Sequence, residues 1–263
     1  GARSRLSSAS IMLWSGVVTS LVLAPVAWFS GDILFPATIA GWATLIGLAL
    51  FSHAAGQGMI AYAFAHLPAS FASVALLHEG RCLSRESVGA QTHSATVPGM
   101  IQSVLSEAGV RLSDCQAIAF GAGPGSFTGV RTACGLAQGM AFGARIPVIP
   151  VVTLLAMAEK ARAHGAHEVL SMLDARMGEV YWAQYQFDGQ WKTITAPCLS
   201  SASQVGAIGA PALCGNGLIS YRSDLGHLDL GQCLPEVIPH ALDVLNLALL
   251  MLREGKAVHA REA

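Results

Sequence analysis

Charge is distributed so unevenly along this chain that one kind of folding cannot serve all of it. Residues 1–77 contain three formal charges, Arg3, Arg5 and Asp32; the other 28 of the 15 Lys+Arg and 16 Asp+Glu lie in residues 78–263. The whole-chain figures, 53% hydrophobic and 12% charged, are an average over these two regimes. An ordinary water-facing domain carries about 25% charged residues, so the first part reads as lipid-facing and the second as globular. A net charge of -1 lacks the basic excess of a direct nucleic-acid binder. The six cysteines, at 82, 115, 134, 198, 214 and 233, form no CxxC pair. Zinc-knuckle and thioredoxin-like readings therefore have no support, and isolated cysteines among apolar neighbours read as small core residues.

Ile11 to Phe29 (IMLWSGVVTSLVLAPVAWF) is uncharged, and as a helix it spans roughly 28 Å, the thickness of a bilayer core. Pro25 is tolerated better there than in a water-soluble helix. Phe35 to Leu77 is also uncharged, and Gly41 to Tyr62 supplies a second predicted span. A signal peptide is the alternative for the first stretch, opposed by the second stretch and by an unconvincing A-x-A-like cleavage site. Arg3 and Arg5 favour a cytoplasmic start. His53 and Gln57, four residues apart, either line a pathway or make one interhelical hydrogen bond. HAAGQGMIAYAFAHLPASFASVALL resembles the carboxy-terminal half of EamA-type drug/metabolite transporters. That resemblance implies a transporter fragment over residues 1–70, held in membrane through residues 11–62. The apolar helix from Pro68 stops after ten residues, at His78-Glu79-Gly80-Arg81, too short to cross a bilayer.

From about Phe71 the pattern changes to strand and turn. ASVALLHEGRCLSRESV reads as a hairpin turning at His78-Glu79-Gly80. Apolar residues at Met100, Ile101, Val104, Leu105 and Ala108 predict a helix over 98–109, ended by Gly109. Cys115–Phe120 and Pro147–Val151 read as buried strands, Ser126–Ala144 and Thr153–Ala163 as helices. Alternating strands and helices imply an α/β sheet covered on both faces.

Gly121-Ala-Gly-Pro-Gly-Ser-Phe-Thr-Gly-Val-Arg131 follows a strand and opens a helix. It lacks the lysine of a Walker A loop. It also lacks the sixth-position glycine of a Rossmann turn and an acid about twenty residues on. Two readings stand. Gly121, Gly123, Gly125, Ser126 and Thr128 form an anion or nucleotide loop at a helix N-terminus, or Ser126 caps a tight structural corner. The helix after it carries two stripes of small residues, Gly135/Gly139/Gly143 and Gly129/Ala133/Ala137/Ala141. Each glycine costs up to ~1 kcal/mol of helix propensity, and close approach of another backbone is the usual offset. One stripe is expected on the sheet, the other is free for a partner. No carboxylate lies between Cys115 and Ala158, and His93 has Val97 four residues on. Neither a metal site nor a general base is predicted there. Asp174, Arg176 and Glu179 read as a hairpin-turn ion pair ahead of a catalytic acid, and Asn216 as a turn residue.

ASVALLHEGR, the helix entered by His93-Ser94, AIAFGAGPGSFTGVRTACGLAQGMAFG, PVIPVVTLLAMA and LDARMGEVYWAQY together resemble the TsaB (YeaZ, glycoprotease-like) family of tRNA threonylcarbamoyladenosine biosynthesis proteins, over about residues 71–263. The resemblance implies an α/β, actin-like ATPase (RNase H-like) fold in two lobes, 71–164 and 165–263, here preceded by about two transmembrane helices. It implies a non-catalytic, cytoplasmic subunit that dimerises with a TsaD-type catalytic subunit, works with a TsaE-type ATPase and meets tRNA only indirectly. A homodimer is a further assembly it allows. No catalytic residue, metal or intrinsic cofactor is expected, with ATP or ADP only in the partner complex; protease activity is not expected. The implied interface comprises His93, Met100, Val104, Gly129, Arg131, Gly135, Gly139 and Gly143. Two departures from the family stand out. Its opening strand, ending in an Asp-Thr-Ser-like loop, is replaced by Ala65-His66-Leu67-Pro68-Ala69-Ser70, and the family runs somewhat past Ala263. Loss of a central strand predicts two exposed rows of backbone groups. Ser73–Leu77 reads as the seam of a fusion, recombination or assembly error, and the competing function is a membrane transporter with the globular part as passenger.

Overall fold

A tight hairpin spans residues 70–89. Its strands, β1 (Ser70–His78) and β2 (Arg81–Gly89), pair antiparallel around a two-residue turn. Glu79 and Gly80 both take positive φ, 48° and 77°, the turn whose twist matches that of the strands it joins. The structure, a computed structural model, describes residues 70–89, 93–229 and 231–262, with 38, 39 and 42 as isolated positions. Apart from Thr38, Ile39, Trp42 and Ser70, both predicted membrane spans and the proposed transporter fragment lie outside the described residues. Among the described residues no helix is long and apolar enough to cross a membrane.

Helix α1 (His93–Ala108) begins five residues before the predicted start, carrying Pro98 inside it, and Gly109 closes it with φ +70°. Strand β3 (Ile118–Gly121) is shorter than the predicted 115–120. Its approach is taken by a 3-10 turn over Leu112–Asp114, closed by Asp114 accepting from the Arg111 backbone N–H at 3.1 Å and its guanidinium at 2.9 Å. Helix α2 (Phe127–Ala144) crosses to β4 (Val148–Val151), parallel to β3, and α3 (Thr153–Arg162) follows at once.

The second half is a five-stranded sheet ordered β7-β6-β5-β8-β9. Its strands are β5 (Glu168–Arg176), β6 (Glu179–Asp188), β7 (Gln190–Ser201), β8 (Ala212–Cys214) and β9 (Cys233–Leu234). Alternation sorts its side chains onto two covered faces. Val169, Ala183 and Tyr185 pack with Leu154, Met157 and Ala161 of α3; Leu170, Met172, Val180 and Trp182 pack with Leu218 and Leu225. Leu218 belongs to α4 (Gly217–Ser220). Burying each large side chain contributes ~1.5–3 kcal/mol.

The last helix, α5 (Ala241–Arg253), packs against β1, β3, β4 and α3, so a segment of the predicted second lobe completes the first half. Leu247 and Ala248 are buried with Ile149, Val151 and Ala156. Its N-terminus clamps the hairpin. His240 Nδ1 accepts the Leu242 N–H at 3.1 Å, which leaves the ring proton on Nε2 to donate to Glu86 Oε1 at 2.8 Å. The Ala241 N–H donates to Ser73 Oγ at 2.9 Å. The clamp matters because β1–β2 and β3–β4 are separate ladders, with no strand pairing between them among the described residues.

His240→Ala is therefore expected to cost about 1–3 kcal/mol, removing a helix cap and a half-buried hydrogen bond. Amide exchange should accelerate in β1–β2 and leave β5–β7 unchanged; equal acceleration in both would contradict the clamp.

Candidate functional site

The glycine string makes a corner between β3 and α2 that is tied from two sides. Ser126 is the N-cap of α2, its Oγ accepting the Gly129 N–H at 3.1 Å. A Cβ at Gly129 would lie 2.6 Å from that oxygen, so only glycine leaves room for the cap. Gly123 sits at φ +100° before a cis peptide to Pro124. Its N–H donates to Thr153 Oγ1 at 3.1 Å and its carbonyl accepts the Thr153 N–H at 2.7 Å. The first turn of α3 thus holds the loop, and Thr153, itself buried, is a site residue that sequence reasoning missed. The N–H groups of Ala122, Gly123, Gly129 and Val130 all donate to protein oxygens. Thr128 is exposed and Gly121 half-buried.

The corner aims α2 so that its two small-residue stripes separate. Ala137 and Ala141 are buried with Phe120, Val148 and Ala260. Gly135, Gly139 and Gly143 are exposed, and a Cβ on any of them would meet nothing within 4 Å among the described residues. The same outward face carries Phe127 and Phe142, 73% and 58% exposed. The Arg131 guanidinium lies 3.3 Å from the Phe127 ring centroid, and Arg261 stands over Phe142 at 5.4 Å. An unprotected backbone strip bordered by two exposed rings and two cations is complementary to a small-residue helix carrying carboxylates. Of the other implied interface residues, Met100 is half-buried on α1, and the side chain of His93 lies outside what the structure describes. Val104 is 2% exposed, its side chain taken up by the interior, and does not belong to an accessible face.

Asp174 does more than pair with Arg176 Nη1, which lies 3.5 Å away. It accepts from the Arg176 N–H at 2.7 Å, Tyr221 OH at 3.0 Å and Ser220 Oγ at 3.1 Å. Asn216 Oδ1 accepts the Asp174 N–H at 3.1 Å. Next to Asn216, Gly215 at φ +108° runs against the Met172 carbonyl where a Cβ would collide. Burial raises the Asp174 carboxyl, but these donors and the Arg176 charge outweigh it and hold it below the ordinary carboxylate range. Ionised and engaged on both oxygens, it holds α4 to the β5–β6 turn. Among the described residues no three His, Cys, Asp or Glu side chains are grouped to hold a metal ion.

A two-part α/β fold with such a corner defines a class, and the comparisons identify it. A family profile described as "TsaD: tRNA N6-adenosine threonylcarbamoyltransferase" matches residues 87–219, placing the chain in the threonylcarbamoyltransferase-related class. Within it, 202 residues are 39% identical to the tRNA threonylcarbamoyladenosine biosynthesis protein TsaB of Escherichia coli strain K12, covering 73% of this chain and 87% of that one. A stretch of 113 residues is 48% identical to Haemophilus influenzae TsaB, covering 43% and 48%. The structure is similar to "YeaZ from Pseudomonas aeruginosa", with a TM-score of 0.68 and 38% identity over 73% of this chain and 91% of that one. The chain belongs to the TsaB family. None of these similarities supports the transporter resemblance.

Tyr221→Phe should lower stability at pH 7, because the Asp174 carboxylate loses a hydrogen-bond donor. Because the folded Asp174 pKa is depressed, that advantage is full above the unfolded value of about 3.9 and is lost as pH falls through the lower folded value. Denaturation at pH 7 and pH 3 should thus show the difference shrinking with acid; a constant difference would contradict it.

Proposed function

We propose that this chain is a non-catalytic subunit for the N6-threonylcarbamoyladenosine modification of tRNA, docking on a TsaD-type catalytic subunit through the outward face of α2. Membership of the TsaB family supports the pathway. One observation carries the docking surface: Gly135, Gly139 and Gly143 lie exposed on the helix that also carries the exposed Phe127 and Phe142, with nothing among the described residues within 4 Å of where a Cβ would stand. Glycine at three exposed helix positions forgoes about 1 kcal/mol each in the isolated protein, and a partner backbone seated on them restores the balance. Arg131 and Arg261 flank the strip and favour carboxylates on the partner. The partner supplies the reacting groups and the tRNA contacts. A TsaE-type ATPase and bound ATP or ADP belong to that assembly, not to this chain alone. The glycine corner serves to aim α2.

Gly139→Leu separates docking from folding. Open space above Gly139 means the isolated protein should keep or slightly raise its Tm, gaining up to ~1 kcal/mol of helix propensity. Affinity for the TsaD-type subunit by calorimetry should fall about ten- to a hundredfold. Arg131→Ala should weaken binding by a smaller amount that vanishes at high salt. Unchanged affinity for Gly139→Leu would overturn the assignment.

A further inference from the structure

A cleft of about 330 Å³ opens where the start of β1, the end of α3 and the first turn of α5 meet, and its charges are not matched within the protein. We infer that it is a binding site for a free α-amino acid with a small apolar side chain, held by Lys160 at its carboxylate and by Asp243 at its ammonium. The inference is independent of the α2 docking surface, none of whose residues lines this cleft.

The neighbouring ionisable groups are accounted for. His240 Nε2 donates to Glu86 Oε1 at 2.8 Å. Glu159 accepts from the Arg162 guanidinium at 3.0 Å and 2.6 Å, and from Trp191 Nε1 at 2.8 Å. Lys160 and Asp243 have no such partner: among the described residues neither forms an ion pair or bonds another side chain. Both are half-buried. Burial holds the Asp243 carboxyl above its ordinary range, with Glu159 adding to the effect, against the pull of the nearby Lys160 and His240. A carboxylate desolvated in this way gains from an arriving cation, and a half-buried ammonium gains from an arriving anion.

The mixture of signs selects the ligand. A simple anion would meet Lys160 but also face Asp243 and Glu236, and a simple amine would meet those carboxylates but face Lys160. A molecule carrying an ammonium and a carboxylate on one carbon answers both groups at once. Glu236, exposed at the rim, offers the ammonium a second acceptor. Phe71, Ile238 and Leu242 complete the lining and give the ligand's side chain an apolar wall. The cleft lies at the low end of the ~300–1,000 Å³ typical of small-molecule sites, so the ligand is small. Once bound it would touch β1, α3 and α5 together, the same elements that the His240 clamp draws close.

The full chain is titrated by calorimetry with L-valine, with isovalerate, which lacks the ammonium, and with isobutylamine, which lacks the carboxylate. L-valine should bind saturably with a Kd of about 1 mM or below and raise the Tm. Each analogue leaves one protein charge unanswered and should bind at least about tenfold more weakly. Lys160→Met and Asp243→Asn should each weaken L-valine by a similar factor while leaving the Tm of the free chain almost unchanged, because neither side chain bonds another. The comparison of analogues uses the unaltered chain and so holds even if a variant folds poorly. No saturable binding of L-valine up to about 10 mM would overturn the proposal. Either analogue binding as tightly as L-valine would overturn it too, as would unchanged L-valine affinity in both variants.

Discussion

Two hydroxyls fix the direction of α2, and most of what this protein presents to its surroundings follows from that direction. Ser126 caps the helix through Gly129, and Thr153 grips both backbone groups of Gly123. Neither bond is strong alone, at ~1 kcal/mol net. Together they allow β3 to turn sharply into α2 while the start of α3 is held beside the same loop. The rotation of α2 about its axis is then set, with alanines on the sheet and glycines outward. A slip of one residue would turn the helix by about 100° and carry the glycine strip toward the interior.

The sheet of the first half is held differently from that of the second. β5, β6 and β7 share long antiparallel ladders, and both faces of their sheet are packed. β1–β2 and β3–β4 are instead held in place by the helices around them. α5 contributes most, through His240, Ala241 and the burial of Leu247 and Ala248. Stability is therefore uneven along the chain, with the hairpin at the weak end.

Local features of this architecture were legible in the sequence. The hairpin turn, the Ser126 cap, the division of α2 into two stripes and the strand–helix alternation each rest on residues within a few positions of one another. Long-range contacts were not. Thr153 meets Gly123 across 30 residues, Tyr221 meets Asp174 across 47, and His240 meets Glu86 across 154. No periodicity encodes such pairings. The turn spacing of Asp174 and Arg176 indicates an ion pair, yet Asn216, Ser220 and Tyr221 also bond Asp174 from 42, 46 and 47 residues away. Val104 belongs to the interface that the family resemblance implies, yet it is 2% exposed, its side chain covered by the interior. Residues 1–69 produced the most distinct compositional signal, and the similarities found bear on the TsaB-like part.

The central claim is that the outward face of α2 receives the catalytic partner. Hydrogen exchange of the full chain, with and without a saturating TsaD-type subunit, tests it without altering a residue. Amides over Phe127–Ala144 should slow by about tenfold or more, as a docked helix suppresses local opening, while β5–β7 stay unchanged. A complex that forms by calorimetry yet leaves α2 exchanging at its free rate would contradict the account.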